Sequence, residues 1–148
     1  MRVKSLTLAA FAAVSLGAAA RAESADPYAA LANTTWQATE IAGRPVDIAK
    51  HPTLSFGPNR EINGAGACNQ YTARYTPDAS DPAGRLVTIR VQGWTKMACH
   101  DGRGEIDSML DKALERTKRF ESVPGGLIAY DGAGAITLRF VPADAPKR

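Results

Sequence analysis

The chain has 148 residues, of which 45% are hydrophobic and 22% are charged, with a formal net charge of +3. This length and composition are typical of one folded domain and exclude a low-complexity or disordered protein. Arg2, Lys4 and Arg21 supply three of the 18 basic residues, so the remainder carries 15 basic and 15 acidic residues. Such a balance does not indicate a nucleic-acid-binding protein.

The first 22 residues have the three parts of a secretion signal. Arg2 and Lys4 precede the mostly apolar residues 6–16, and Ala20 and Ala22 are the small residues that a signal peptidase recognises. The apolar run is shorter than the ~20 residues that span a bilayer, so we do not expect a membrane-spanning protein. We expect cleavage after Ala22 and a periplasmic or secreted product. With no cysteine near this position, we expect no lipid anchor.

Removal of 22 of the 148 residues would leave 126, which suits one domain with one core. Residues 23–30 are rich in alanine and are predicted to form a short N-terminal tether. Residues 31–141 are predicted to form the folded domain. Residues 142–148 contain two prolines and two basic residues, and are predicted to form a flexible tail.

Alternating apolar and polar residues predict half-buried β-strands over most of this domain. The alternation is found near residue 36 and at residues 53–56, 71–75, 87–91 and 136–140, with a mostly apolar strand expected at 127–130. Residues typical of tight turns lie between several of these strands, at 57–60, 124–126 and 131–132. Residues 78–84 are predicted to form a longer polar loop. Together these segments predict an antiparallel meander.

Residues 105–119 have a different, helical period. The apolar positions are Ile106, Met109, Leu110, Ala113 and Leu114. Acidic residues 105 and 107 are expected in the first turn and basic residues 118 and 119 in the last, as the helix dipole favours. The predicted fold is mainly β with one α-helix (α+β): a small antiparallel β-barrel-like meander covered by a single amphipathic helix.

Cys68 and Cys99 are the two cysteines of the chain. In an oxidising compartment two thiols of one small domain usually pair, and a loop of about 32 residues would then contribute about 3.5–4 kcal/mol. Free thiols and a redox couple are the alternatives, although catalytic dithiols usually lie in a Cys-x-x-Cys sequence. His51 and His100 do not complete a zinc-like spacing, so no metal site is predicted.

For the other candidate residues, the sequence mostly favours a structural role over a catalytic or ligand-binding one. Cys99, His100 and Asp101 have the residue types of a catalytic triad, but triad members normally come from separate segments. Gly64 and Gly66 lack the third glycine of a phosphate-binding loop and are expected where backbones approach closely. Tyr71, Tyr75 and Trp94 are either a candidate ligand rim at the barrel mouth or aromatic filling of the barrel. No catalytic residue is predicted.

Four ordered sequence segments resemble the META-domain family, and within it the HslJ-like, heat-shock-associated bacterial envelope proteins. They are residues 36–46, residues 54–57 with 62–71, residues 95–99 leading into the helix, and residues 135–140. The motif positions are Gly64, Gly66, Cys68, Asn69, Thr95, Met97, Ala98 and Cys99. The resemblance covers residues 31–141 and implies a small antiparallel β-barrel-like fold with one helix. It also implies an envelope protein associated with heat or stress, and it transfers no catalytic residue.

These observations lead to three functional hypotheses. The first is a non-catalytic, exported, disulfide-stabilised protein that supports envelope stress tolerance by contacting an unknown envelope protein or surface component. The second is a small-molecule or peptide binder that uses the barrel mouth. The third is a thiol oxidoreductase that uses Cys68 and Cys99. None of them requires a cofactor.

Overall fold

The computed structural model describes residues 25–144, which form nine β-strands, one α-helix and two short 3-10 helices. The predicted signal peptide, residues 1–22, lies outside the described residues. The strands are β1 (Thr35–Ile41), β2 (Arg44–Pro45), β3 (Thr53–Phe56), β4 (Glu61–Ala65), β5 (Gln70–Pro77), β6 (Val87–Trp94), β7 (Arg119–Val123), β8 (Gly126–Tyr130) and β9 (Ile136–Pro142), and the helix is α1 (Arg103–Arg116).

All strands join one antiparallel sheet in the order β6-β5-β4-β3-β1-β9-β8-β7, with β2 paired to β1. Strands β3 to β6 form one meander and β7 to β9 form another, and β1 and β9 pair where the two meanders meet. Helix α1 connects the two edge strands, β6 and β7, and packs against β6, β9 and β1. The prediction of a mainly β fold with one helix is therefore confirmed.

The predicted barrel is corrected, because this sheet does not close. Strands β6 and β7 share no ladder within the described residues, and they approach where Val87 N donates to Lys118 O at 2.7 Å. Beside this contact the Tyr28 hydroxyl donates to Arg85 O and accepts from Phe120 N, both at 2.8 Å. The Tyr28 side chain thus bonds backbone groups on both sides of the gap. It satisfies polar groups that a strand ladder between β6 and β7 would otherwise satisfy.

The Tyr28 ring also fills the inside of the sheet near this gap. It lies edge-on to Phe120 and Tyr75, with ring centroids 5.3 and 5.7 Å away, and tilted against Phe56 at 6.5 Å. The Tyr75 hydroxyl in turn bonds the Asp26 carboxylate at 2.9 Å. Residues 26 and 28 of the segment expected as a tether are therefore packed into the domain.

The C-terminal boundary also differs in detail from the expected one. Pro142 pairs with Trp36 at the end of β9, and Ala143 N donates to Thr35 O at 3.0 Å. The first residues of the segment expected as a flexible tail therefore continue the sheet.

The core lies between the inner face of the curved sheet and α1. Alternation along β5 buries Tyr71, Ala73 and Tyr75 and exposes the residues between them, as the sequence pattern predicts. The helix contributes Leu110, Ala113 and Leu114, each at most 2% exposed. At about 25 cal/mol per Å² of apolar surface, this burial is the main stabilising term of the fold.

The helix ends three residues before its predicted end at residue 119. Thr117 takes an extended conformation, and its hydroxyl donates to Ala113 O at 2.8 Å and contacts the buried Thr137 hydroxyl at 2.6 Å. Lys118 N then donates to Tyr130 O at 2.7 Å. Of the basic residues expected in the last helical turn, Lys118 therefore lies just before β7 and Arg119 is its first residue, because sheet pairing replaces the helix there.

We predict that Tyr28→Phe lowers the free energy of unfolding by about 1–3 kcal/mol, because Phe120 N loses its buried acceptor. Urea unfolding, monitored by circular dichroism, measures this change. Tyr130→Phe removes a hydroxyl from a half-buried position and serves as the control. Equal stability of Tyr28→Phe and the parent protein would contradict the bridging role of the hydroxyl.

Candidate functional site

The two cysteine segments meet at one end of the sheet. A disulfide joins Cys68, in the loop between β4 and β5, to Cys99, in the segment between β6 and α1, with the two Cα atoms 6.0 Å apart. This confirms the predicted disulfide. It ties a loop of the sheet to the chain that leads into the helix.

A buried helix carboxylate, Asp107, organises the loop that carries Cys68. Asp107 is 7% exposed, and its Oδ1 accepts from Ala67 N at 2.6 Å and Cys68 N at 3.2 Å. Its Oδ2 accepts from Asn69 N at 2.8 Å. One carboxylate therefore bonds three successive backbone N–H groups, an arrangement in which charge-assisted hydrogen bonds fix the loop against the helix.

Both motif glycines lie where backbone approaches another group closely. A Cβ atom on Gly66 would be 2.1 Å from Asp107 Oδ1, and one on Gly64 would be 2.1 Å from Thr53 O and 2.6 Å from the Tyr71 ring. Real Cβ atoms do not tolerate such distances, so larger residues would displace the carboxylate or the ring. Gly66 N also donates to Asn69 O at 2.6 Å, which tightens the turn.

Asn69 connects this loop to the second cysteine segment. Its Oδ1 accepts from Met97 N at 2.7 Å and from the Thr95 hydroxyl at 3.0 Å. Its Nδ2 donates to Cys99 Sγ and to Asp107 Oδ2, both at 3.3 Å. The Thr95 hydroxyl accepts in turn from Gln70 N at 3.0 Å. One amide therefore fixes residues 95–99 to the sheet.

The segment that Asn69 and the disulfide hold is exposed to solvent. Thr95, Lys96, Met97 and Ala98 are all exposed. The Met97 side chain is 62% exposed, and among residues 25–144 it is the large hydrophobic side chain that is exposed to solvent. The site thus presents an apolar side chain from a backbone that is fixed by a covalent bond and by hydrogen bonds.

The three aromatic residues of the predicted ligand rim lie in two separate places. Tyr71 is 2% exposed, its hydroxyl donates to Thr53 O at 2.9 Å, and burial raises the pKa of this phenol. Its ring centroid is 4.8 Å from that of Trp94, whose indole N–H donates to Asp111 at 2.7 Å. Tyr75 lies instead in the Tyr28 cluster, where burial and the bond to Asp26 raise its pKa.

A groove of about 570 Å³ crosses the outer face of the sheet over β3, β4, β5 and β6. None of the residues that line it is charged. The outward side chains that form much of its wall are short and polar, and they come from Thr53, Ser55, Asn63, Gln70 and Thr72. Gly93, where an added Cβ atom would meet nothing within 4 Å, leaves one end of the groove open.

Other residues considered from the sequence have structural partners. His51 Nδ1 lies 2.8 Å from Ala38 O, and the Asp101 carboxylate accepts from Arg103 Nε at 2.9 Å. The sulfurs of Cys68 and Cys99 and a carboxylate oxygen of Asp107 lie within 4.8 Å of one another. Those sulfurs are bonded to each other, and the Asp107 oxygens accept N–H groups, so this set is not arranged as a metal site.

Sequence reasoning assigned Asp107 to the helix dipole and missed its contact with the loop. The position of Asp107 on the helix could have indicated this contact. Asp107 lies three residues before Leu110 and seven before Leu114, which places a carboxylate on the buried apolar face. An acid at such a position needs hydrogen-bond donors from another segment, because burial of an unpartnered charge is unfavourable.

We predict that Asp107→Asn lowers the free energy of unfolding by about 2–4 kcal/mol, because an amide offers one acceptor oxygen to three N–H groups. Glu115→Gln, an exposed carboxylate-to-amide change on the same helix, is the matched control and should have little effect. Chemical denaturation of both variants with the disulfide intact makes the comparison. An Asp107→Asn variant as stable as Glu115→Gln would contradict this assignment.

Comparisons with known proteins agree with this architecture. Two structures solved by NMR are 20% and 22% identical to the chain, with TM-scores of 0.57 and 0.58; the second is from Burkholderia xenovorans. They cover 82% and 80% of this chain, which in turn covers 97% and 88% of theirs. A DUF4847-family crystal structure from Bacteroides vulgatus is 13% identical, with a TM-score of 0.50, over 77% of this chain and 95% of its own.

No curated protein matches the chain significantly. Within residues 25–144, no helix is long and apolar enough to cross a membrane. The META-domain family model matches residues 29–145, which include both cysteine segments, the whole sheet and the helix. The chain therefore belongs to the META-domain family.

Proposed function

We propose that this protein is an exported, non-catalytic META-domain protein that supports envelope stress tolerance by contacting a protein or surface component through residues 95–100. The observation that carries this proposal is Met97, a large apolar side chain that is 62% exposed on a segment fixed by Asn69 and the disulfide. We call residues 95–100 the Met97 segment.

The rigidity of the Met97 segment favours a binding role. Association loses affinity when flexible groups become ordered at an interface, so a segment ordered beforehand binds more tightly. The backbone of Met97 is held at its N–H by Asn69, and Cys99, two residues later, is bonded to Cys68. Methionine also adapts its unbranched, polarizable side chain to irregular apolar pockets.

The charge of Lys96 in the Met97 segment suggests the partner's chemistry. Lys96 is exposed beside Met97, and the polar His100 is exposed three residues after it. A partner with a small apolar pocket bordered by acidic groups would complement this surface, because charge at the rim of an interface steers association. We therefore expect an acidic envelope protein, or an acidic surface component, as the contact.

Export and the absence of catalysis remain parts of the proposal. The Cys68–Cys99 disulfide supports an oxidising compartment, since such bonds persist outside the cytosol. In that compartment the disulfide holds two segments together beside Asp107 and Asn69, which favours a structural role over a thiol oxidoreductase. The predicted signal peptide is the sequence feature that supports secretion.

We predict that Met97→Glu abolishes complementation of a deletion strain under heat and detergent challenge, because it puts a charge where the partner's pocket is apolar. Colony counts after challenge measure tolerance, and circular dichroism verifies that the variant folds. Gln92→Glu adds the same charge at an exposed β6 position and should complement fully. Full complementation by Met97→Glu would reject the Met97 segment as the contact.

The outer groove favours a second candidate function, the binding of an uncharged, hydroxyl-rich ligand. Ser55, Asn63, Thr72 and Gly93 are successive register partners on four neighbouring strands, so they form a row across the sheet. Strands lie about 4.8 Å apart, a spacing similar to one sugar ring of a linked chain. Hydroxyl and amide side chains both donate and accept, as the hydroxyls of a neutral oligosaccharide require. This candidate moves the expected ligand site from a barrel mouth to the outer face.

We predict that chitotetraose, an uncharged oligosaccharide, shifts amide resonances of β4, β5 and β6 in an NMR titration. Gly93→Tyr should abolish these shifts, because the new side chain fills the open end of the groove. Ser122→Tyr, at an exposed position of β7, should leave the shifts unchanged. Tetraalanine is the control ligand. Shifts that survive Gly93→Tyr, or that tetraalanine reproduces, would argue against an oligosaccharide groove.

A further inference from the structure

We propose that Met97 is a site of oxidation to methionine sulfoxide by a peroxide-type oxidant, and that this modification releases the contact made by the Met97 segment. The second half of this proposal rests on the proposed function. The first half concerns Met97 alone and stands without a partner.

The two methionines of the described residues differ in their access to solvent. Met97 is 62% exposed, whereas Met109 is half-buried on α1 and packs against the hydrophobic core. The third methionine, Met1, precedes the predicted cleavage site. The rate at which a thioether oxidises follows its exposure, so the reaction should be selective for Met97.

The chemistry requires only the thioether and the oxidant. With hydrogen peroxide, a sulfur lone pair attacks one peroxide oxygen, an S–O bond forms and the O–O bond breaks. The departing hydroxide takes the remaining proton and leaves as water. The sulfur loses the two electrons that the peroxide gains, and the product is a sulfoxide.

The consequence of oxidation is confined to the surface. The Met97 N–H remains bonded to Asn69 Oδ1, and the disulfide continues to hold Cys99, since neither contact involves the thioether. The segment therefore keeps its position while its tip changes from apolar to polar. Burial of an unpartnered polar group in the partner's pocket would then weaken the contact by about tenfold or more.

The mature chain purified from its host is treated with hydrogen peroxide and digested, and the sulfoxide at each methionine is followed by mass spectrometry. We expect Met97 to oxidise roughly tenfold faster than Met109 without a change in circular dichroism. Equal rates at the two positions would overturn the inference and leave the proposed function intact.

The contact itself is tested in cells that carry a photo-crosslinking amino acid in place of Ala98. We expect the adduct to disappear after peroxide treatment in the parent protein, to persist in Met97→Leu, and to be absent in Met97→Gln. An adduct that survives oxidation of Met97 would overturn the release step. Absence of any adduct in untreated cells would overturn the proposed function, and the release step with it.

Discussion

The bond between the Asp107 carboxylate and the N–H groups of residues 67–69 is the constraint on which the site depends. It joins the helix to the loop between β4 and β5, and it sets the position of Asn69 and Cys68. Those two residues then hold Met97 and Cys99. Gly66 is required because a side chain at that position would occupy the space of the carboxylate. The motif therefore encodes one physical arrangement, in which each residue places the next.

A second constraint operates where the sheet stays open. The edge strands β6 and β7 lie at opposite ends of the strand order, yet α1 connects them and Tyr28 bonds the backbone on both sides of the gap. Edge strands with free backbone groups invite pairing with other chains, and a bridging side chain reduces that exposure. The same ring completes an aromatic cluster with Phe56, Tyr75 and Phe120. The segment that precedes β1 therefore bridges the gap between the edge strands of the open sheet.

Local patterns in the sequence were sufficient for the fold class, most strands, the helix and the disulfide. In residues 71–75 every second residue is apolar, and in β5 every second side chain is buried, so the local pattern alone identified the buried face. Tyr28 and Asp107 were missed because their roles depend on partners 92 and up to 40 residues away. Strand β7 was missed for a related reason: Lys118 and Arg119 match a helix end locally, and only pairing with β8 makes them extended. The barrel was wrong because alternation does not determine whether the two edge strands of a sheet, here β6 and β7, pair with each other.

A single exposed apolar side chain is common on protein surfaces, so the exposure of Met97 alone would carry little weight. What distinguishes Met97 is that a connected set of constraints fixes the backbone of its segment. The Met97 N–H donates to Asn69 Oδ1, and a disulfide holds Cys99 two residues later. The buried Asp107 carboxylate in turn bonds Asn69 N and so holds the loop to which the segment is attached. Ordering this exposed stretch opposes chain entropy, at about 1–2 kcal/mol per residue. An ordered, exposed segment is suited to meeting another molecule, and that is the physical reason why we propose a contact at Met97 rather than on the sheet.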